Sequence, residues 1–165
     1  MSRALGVDYG ARRVGLSLSD EGRLIAQPFQ TLPNKGDLSA VARELVALAE
    51  AQEVTQLVVG WPLRLNGKEG LQTRRVERFI EAIERELERV ARPTPIALWD
   101  ERLSTTAAER ALIEGGVGRR ARRDVVDQVA ASVILQAWLD AQRAQINHRQ
   151  TTNTDTSADN SGSAR

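Results

Sequence analysis

The order of patterns along the chain predicts an α/β protein, a mixed sheet flanked by helices. Short apolar runs and period-two alternation come first, as in a hairpin series. Helix-period segments then alternate with short β-branched runs. The chain of 165 residues is also long enough to bury one core, so a single foldable domain is expected over residues 1–145.

The elements follow in order. "RALGVDYG", residues 3–10, is a short apolar run closed by Asp8 and Gly10 and reads as a buried strand. "VGLSLSD", residues 14–20, alternates at period two, and the tight connection between the two runs predicts a hairpin. "RLIAQPFQTL" is a third strand, with Pro28 directing it to an edge or a bulge. From Asp37 to Gln52 the spacing of Leu38, Val41, Leu45, Leu48 and Ala49 is helical, with Asp37 as a first-turn acid. "QLVVGWP" is a β-branched strand stopped by Gly60 and Pro62, and the polar loop "LRLNGKEG" follows it. Val76, Phe79, Ile80, Ile83, Leu87 and Val90 mark a long amphipathic helix. "PIALW" is the next strand. "STTAAERALIEGG" opens with capping hydroxyls at Ser104 and Thr105, ends at Gly115-Gly116, and reads as a helix. A last helix is expected from about Asp124 to Gln145. The tail, residues 146–165, has almost nothing apolar to bury and is expected to be disordered.

Composition removes several kinds of chemistry. There is no cysteine, which excludes thiolate nucleophiles and Cys-ligated zinc, and the single histidine, His148, lies in the polar tail. Charged residues make up 27% of the chain, yet the net charge is +1, so any surface for a polyanion must be local. No apolar run approaches a membrane span and no signal pattern opens the chain, so a cytoplasmic protein is expected. The available working groups are carboxylates, arginines, lysines and hydroxyls.

Three acids stand out. Asp8 ends the first strand on the face shared with the small residues Ala4 and Gly6, which leaves room in front of its carboxylate. Asp100 and Glu101 end another strand and, being adjacent, point to opposite faces, so only one can join Asp8 while the strand continues. Asp127 lies in "RRDVVDQVAASVILQAWLD", where Gln128, Ser132, Gln136 and Asp140 form the polar stripe. At about 100° per residue, Asp127 sits roughly 160° from that stripe, on the face of Ala130, Ala131 and Ile134. A carboxylate there needs a cation, an arginine partner or a proton. Asp124, nearer the polar side, reads as a first-turn capping acid. Converging carboxylates without His or Cys suit Mg²⁺ or Mn²⁺, and two such ions about 3.5–4 Å apart would clamp a phosphodiester.

Four stretches, "GVDYGARRVGLSLSD", "VVGWPLRLNG", "DERLST" and "VVDQVAASVILQAWL", resemble the YqgF (RuvX) family in order and spacing, over about residues 3–142. Members of that family carry the names of pre-16S rRNA nucleases and Holliday junction resolvases. The resemblance implies a ribonuclease-H-like fold, with a five-stranded mixed sheet whose first three strands are antiparallel and helices on both faces. It also implies that Asp8, Glu101 and Asp127 are the catalytic, metal-binding acids, selecting Glu101 over Asp100. Trp61 and Leu65 depart from the family's usual aliphatic residue and methionine.

Phosphate contacts are expected from "GVGRRARR", a glycine-led loop presenting Arg119, Arg120, Arg122 and Arg123 just before the helix of Asp127. Arg12 and Arg13 in the first hairpin turn, Arg102 beside Glu101, and Asn66 and Lys68 in a mobile polar loop have similar claims. Few aromatic residues stand near these positions, so recognition by shape and backbone is expected. The function so read is a metal-dependent nuclease processing the 5′ end of pre-16S rRNA. The alternatives are a resolvase of four-way DNA or a non-catalytic nucleic-acid-binding module. The partner is structured RNA or branched DNA, and the chain a monomer or a homodimer.

Overall fold

A computed structural model of the chain describes residues 2–104 and 119–155, with side chains of the final helix described from Arg123 to Gln150. The described elements are β1 (Arg3–Tyr9), β2 (Arg13–Ser19), β3 (Ala26–Pro33), α1 (Leu38–Ala51), β4 (Val54–Trp61), α2 (Leu71–Arg89), β5 (Ile96–Asp100) and α3 (Arg119–Asp155). The strands form one sheet in the order β3-β2-β1-β4-β5. β1, β2 and β3 are successively antiparallel, and β4 and β5 run parallel to β1. This is the expected mixed sheet. The helix expected over residues 104–116 lies, beyond Ser104, outside the described residues.

Pro28 lies on the edge strand. There Leu16 pairs with Gln30 while the next residue, Ser17, pairs with Pro28, so one residue of β3 is bulged. A residue without an N–H is tolerated at such a place because no ladder bond is lost. Asp37 proves to be the N-cap of α1 rather than a first-turn acid. Its carboxylate accepts the Ala40 N–H at 3.0 Å, satisfying a donor that has no partner inside the helix.

The two faces of the sheet differ in side-chain size, and this decides what each can carry. One face presents Leu5, Val7, Val14, Leu16, Leu57 and Val59, all fully buried against α1 and α2. Each such side chain contributes about 1.5–3 kcal/mol by leaving water. The other face presents Ala4, Gly6, Gly15, Ser17, Val58 and Gly60, and among the described residues α3 is the helix that covers it. A Cβ on Gly6 would stand 2.7 Å from the Leu135 Cβ and 2.8 Å from the Ala131 carbonyl oxygen. Helix backbone thus fills the room over Gly6, while Asp8, further along the strand, lines open space. The Ser17 hydroxyl donates to that same Ala131 carbonyl at 2.7 Å, so the close contact is also hydrogen-bonded.

α3 departs from expectation at both ends. It begins at Arg119, so the arginine run belongs to its first turns and not to a loop; arginine is a good helix former, and only the preceding glycines suggest a break. Asp124 consequently lies beyond the first turn. The helix also continues to Asp155, past the boundary expected at Ile146, with residues 143–150 exposed. Its polar stripe does more than face water. Gln136 accepts the Ala26 N–H at 2.8 Å and donates to the Leu24 carbonyl at 3.0 Å, while Gln128 donates to Thr31 at 3.1 Å. These bonds fasten α3 to the edge strand. No helix among the described residues is long and apolar enough to cross a membrane.

Candidate active site

Three elements bring an acid to the same end of the sheet. Asp8 lies near the end of β1, only 5% exposed, directly opposite Gly15 of β2 in the antiparallel register. A Cβ on Gly15 would stand 2.1 Å from the backbone oxygen of Asp127 and 2.9 Å from its Cβ, so the glycine lets α3 settle over β2 at this residue. Register and close approach thus set Asp127 beside Asp8. Glu101 opens a single 3-10 turn immediately after β5. A Cβ on Gly60, the next strand's partner of Trp99, would come 2.7 Å from Glu101 Oε1. Asp8, Glu101 and Asp127 line one cavity of about 480 Å³, together with Tyr9, Gly10, Arg13, Pro62, Gln72, Arg123 and Val126.

Asp100 and Glu101 divide their tasks. The Asp100 carboxylate accepts the Arg102 backbone N–H at 3.0 Å and grips its guanidinium, with Nη2 to Oδ2 at 2.6 Å. The hydrogen bond from the Arg102 side chain holds the Asp100 carboxyl below its ordinary value, against the opposing effect of burial. Asp100 is thus a turn-forming anion, while Glu101 lines the cavity.

The Asp127 carboxylate takes the arginine solution to its partial burial. Arg13 Nε donates to Asp127 Oδ2 at 2.8 Å, across 114 residues of sequence, and lies 3.9 Å from Asp124. Arg13, expected as a phosphate contact, lines the cavity and is paired with this acid. Its side chain is 30% exposed and that of Asp127 19%, so the pair is partly shielded from water.

Three carboxylates bring oxygen donors to the cavity, the chemistry that suits a hard divalent cation. Among the described residues, no three His, Cys, Asp or Glu side chains are gathered tightly enough to form a finished ligand cluster. The acids share a cavity, and Asp127 is turned to Arg13 within it.

The remaining sequence-derived candidates separate clearly. Arg123 lines the cavity. The side chains of Arg119, Arg120 and Arg122 lie outside the described residues. Arg12 is exposed on the turn between β1 and β2 and is not part of the cavity lining. Asn66 and Lys68 are likewise exposed and outside it, and their loop is a closed turn rather than a loose segment. Arg64 N–H bonds the Lys68 carbonyl at 3.0 Å, Gly67 N–H bonds the Arg64 carbonyl at 2.8 Å, and Gly67 holds a φ of 78°. Arg102 packs beside that turn, with Nη1 3.3 Å from where a Gly67 Cβ would be. Sequence reasoning missed Gly15, Gly60 and Gln72. A glycine inside a strand signals close backbone approach, so the first two were available to it. Gln72, an exposed polar residue in a first helical turn, offers no such signal.

Comparison with known proteins identifies the family and the fold. A family model described as RuvX, Holliday junction resolvase, matches residues 2–141. A protein of Syntrophus aciditrophicus (strain SB) named "Putative pre-16S rRNA nuclease" is 43% identical over 142 residues, covering 84% of this chain and 89% of that protein. A protein of the same name from Geobacillus kaustophilus (strain HTA426) is 42% identical over 144 residues, covering 86% and 99%. Among solved structures, T. thermophilus RuvC in complex with a Holliday junction substrate superposes with a TM-score of 0.56 at 12% identity, covering 87% of this chain and 97% of that one. The yeast mitochondrial Holliday junction resolvase Ydc2 gives 0.54 at 14% identity, covering 94% and 84%. At such identities the likeness is one of fold, which is ribonuclease-H-like. With a family model spanning nearly all of its described domain and relatives above 40% identity, the chain belongs to the RuvX family.

Proposed function

We propose that this chain is a metal-dependent nuclease that hydrolyses phosphodiester bonds of structured nucleic acid, processing the 5′ end of pre-16S rRNA in the cytoplasm. The observation that carries the reading is the meeting of Asp8, Glu101 and Asp127, from three separate elements, in one cavity. The names of the relatives support the choice of RNA.

Asp8, Glu101 and Asp127 would hold the cations, Mg²⁺ or Mn²⁺. When bound, a pair of such ions supplies an activated water and stabilises the departing oxygen. The chain's own residues do the rest. Arg13 holds the Asp127 carboxylate at the cavity wall and would balance its charge until a cation is bound. Arg123 faces the cavity from α3 and suits the phosphate flanking the scissile bond. Asp100, through Arg102, fixes the turn that aims Glu101. No side-chain nucleophile is required, in keeping with a chain that has no cysteine and one distant histidine.

Single Asp8→Asn, Glu101→Gln and Asp127→Asn variants test this on a structured RNA carrying the precursor 5′ end. Each is expected to lose cleavage while still binding the RNA, and chelation is expected to stop the wild type until Mg²⁺ or Mn²⁺ is returned. Three variants that cleave like wild type would overturn the assignment. A second reading, resolution of four-way DNA, is favoured by the description of the family model. Symmetric cutting needs two sites and hence a dimer. Paired nicks in four-way DNA by a sedimenting dimer, with structured RNA left intact, would select it.

A further inference from the structure

Beyond the acid cavity, the same end of the sheet holds a smaller cleft of about 230 Å³. It lies between the β3–α1 connection and the first turns of α2, and Asn34, Gly36, Arg75 and Arg78 are among its walls. Tyr9 lines both this cleft and the acid cavity, so the two adjoin across the end of β1. The ground between them is built rigidly. Asn34 is buried, its amide donates to the Gly10 carbonyl at 3.0 Å, and its backbone N–H bonds the Arg12 carbonyl at 2.8 Å. Its side-chain oxygen accepts the Gly36 N–H at 3.1 Å.

The charges here are unspent. Arg12, Lys35, Arg75 and Arg78 are all exposed, and among the described residues none enters an ion pair. Elsewhere Arg3, Arg13, Arg89, Arg92, Arg102 and Arg143 pair with carboxylates, while Arg43, Arg64, Arg74 and Arg85 enter no ion pair among the described residues. The one acid at the mouth of α1, Asp37, is turned to its own helix. An exposed arginine on a helix is ordinarily just solvated. Two of them one turn apart, walling a cleft that shares Tyr9 with the acid cavity, form a track for a polyanion.

We infer that the Arg75–Arg78 cleft is a phosphate-binding station for the single strand flanking the scissile phosphate. The strand leaves the acid cavity, crosses the turn bearing Arg12, and places successive phosphates against Arg75 and Arg78. Tyr9 serves as a fixed wall and not as a stacking platform, because its ring is already packed on Phe79, centroids 5.0 Å apart. This assignment rests on the nuclease reading and names where its substrate goes next.

The test is fluorescence anisotropy with a labelled RNA hairpin carrying single-stranded flanks, at 50–200 mM salt, using the full chain with Asp8→Asn to prevent cleavage. Adding Arg75→Gln and Arg78→Gln is expected to weaken binding and to flatten the plot of log affinity against log salt by about 1.4, at roughly 0.7 per single-strand phosphate. Over that salt range the parent then loses about 7-fold more affinity than the double variant. Arg75→Lys with Arg78→Lys is expected to restore the slope, and trimming the flanks to abolish the difference. An unchanged slope with tight binding overturns this station and leaves the nuclease reading intact, as does a difference that survives trimming. If the parent fails to bind the hairpin at all, both fall together.

Discussion

Replacing Gly15 with alanine measures how closely α3 must lie on the sheet for Asp127 to reach the cavity. The new Cβ would meet the Asp127 carbonyl oxygen at 2.1 Å and its carbon at 2.3 Å, whereas ordinary contact begins near 3.4 Å. Both are backbone atoms of a helix, so no rotamer change relieves the clash. The helix must withdraw by about 1.3 Å, the difference between the two oxygen distances. Overpacking of this kind costs about 1–3 kcal/mol. For a domain of this size that lowers Tm by about 2–4 °C per kcal/mol, hence by about 2–12 °C. Asp127 travels with the helix, and a misplacement of about 1 Å at a reacting centre lowers rate on the order of 100-fold. Thermal melts give the first quantity; single-turnover cleavage at saturating protein, well below Tm, gives the second. A Gly15→Ala protein that melts and cleaves like wild type would show that α3 has slack, and the account of this face of the sheet would be wrong.

Gly60→Ala should act differently, because its Cβ meets only side-chain ends, Glu101 Oε1 at 2.7 Å and Ile134 Cδ1 at 2.8 Å. Cleavage is expected to fall with a smaller change in Tm than for Gly15→Ala; equal or larger destabilisation would contradict this. Ser17→Ala removes the buried hydroxyl that donates to the Ala131 carbonyl, and the urea midpoint should report a loss of about 1 kcal/mol. Asp20 offers a pH prediction. The N–H of Ile25, followed by that of Leu24, holds its carboxyl below the ordinary 3.8, although burial opposes them. A lowered folded-state value stabilises the fold above the ordinary value and is lost as pH falls through the lowered one. The stability gap between wild type and Asp20→Asn should therefore stay level from neutral pH to about 5 and close in stronger acid. A gap that widens on acidification would refute the assignment.

Much of this architecture can be read from local pattern. Period-two alternation marks the strands, Pro28 announces an edge, and the odd position of Asp127 on its helix separates it from ordinary surface acids. What local pattern cannot carry is partnership across distance. The Arg13–Asp127 pair joins residues 114 apart, and nothing near Arg13 distinguishes an arginine that grips phosphate from one that grips an acid. The start of α3 was hidden for another reason: glycines before Arg119 suggest a loop, while the arginines themselves favour helix. Gly60 reads as a strand stop, and Gly15 draws no notice, until the Glu101 side chain and the helix are set against them. Choosing Glu101 over Asp100 needed the family resemblance, because alternation puts the two on opposite faces without saying which face is that of Asp8. The Arg102 bond explains the choice physically by occupying Asp100.

The salt link between Arg13 and Asp127 also bears on how the molecule is made. A shielded carboxylate left alone would strain the packing of α3 on the sheet, but this one arrives with a resident counter-charge from β2. The polypeptide can thus complete its architecture in a cell or a buffer stripped of divalent ions. Chelator-treated protein should then be as cooperative in unfolding as untreated protein.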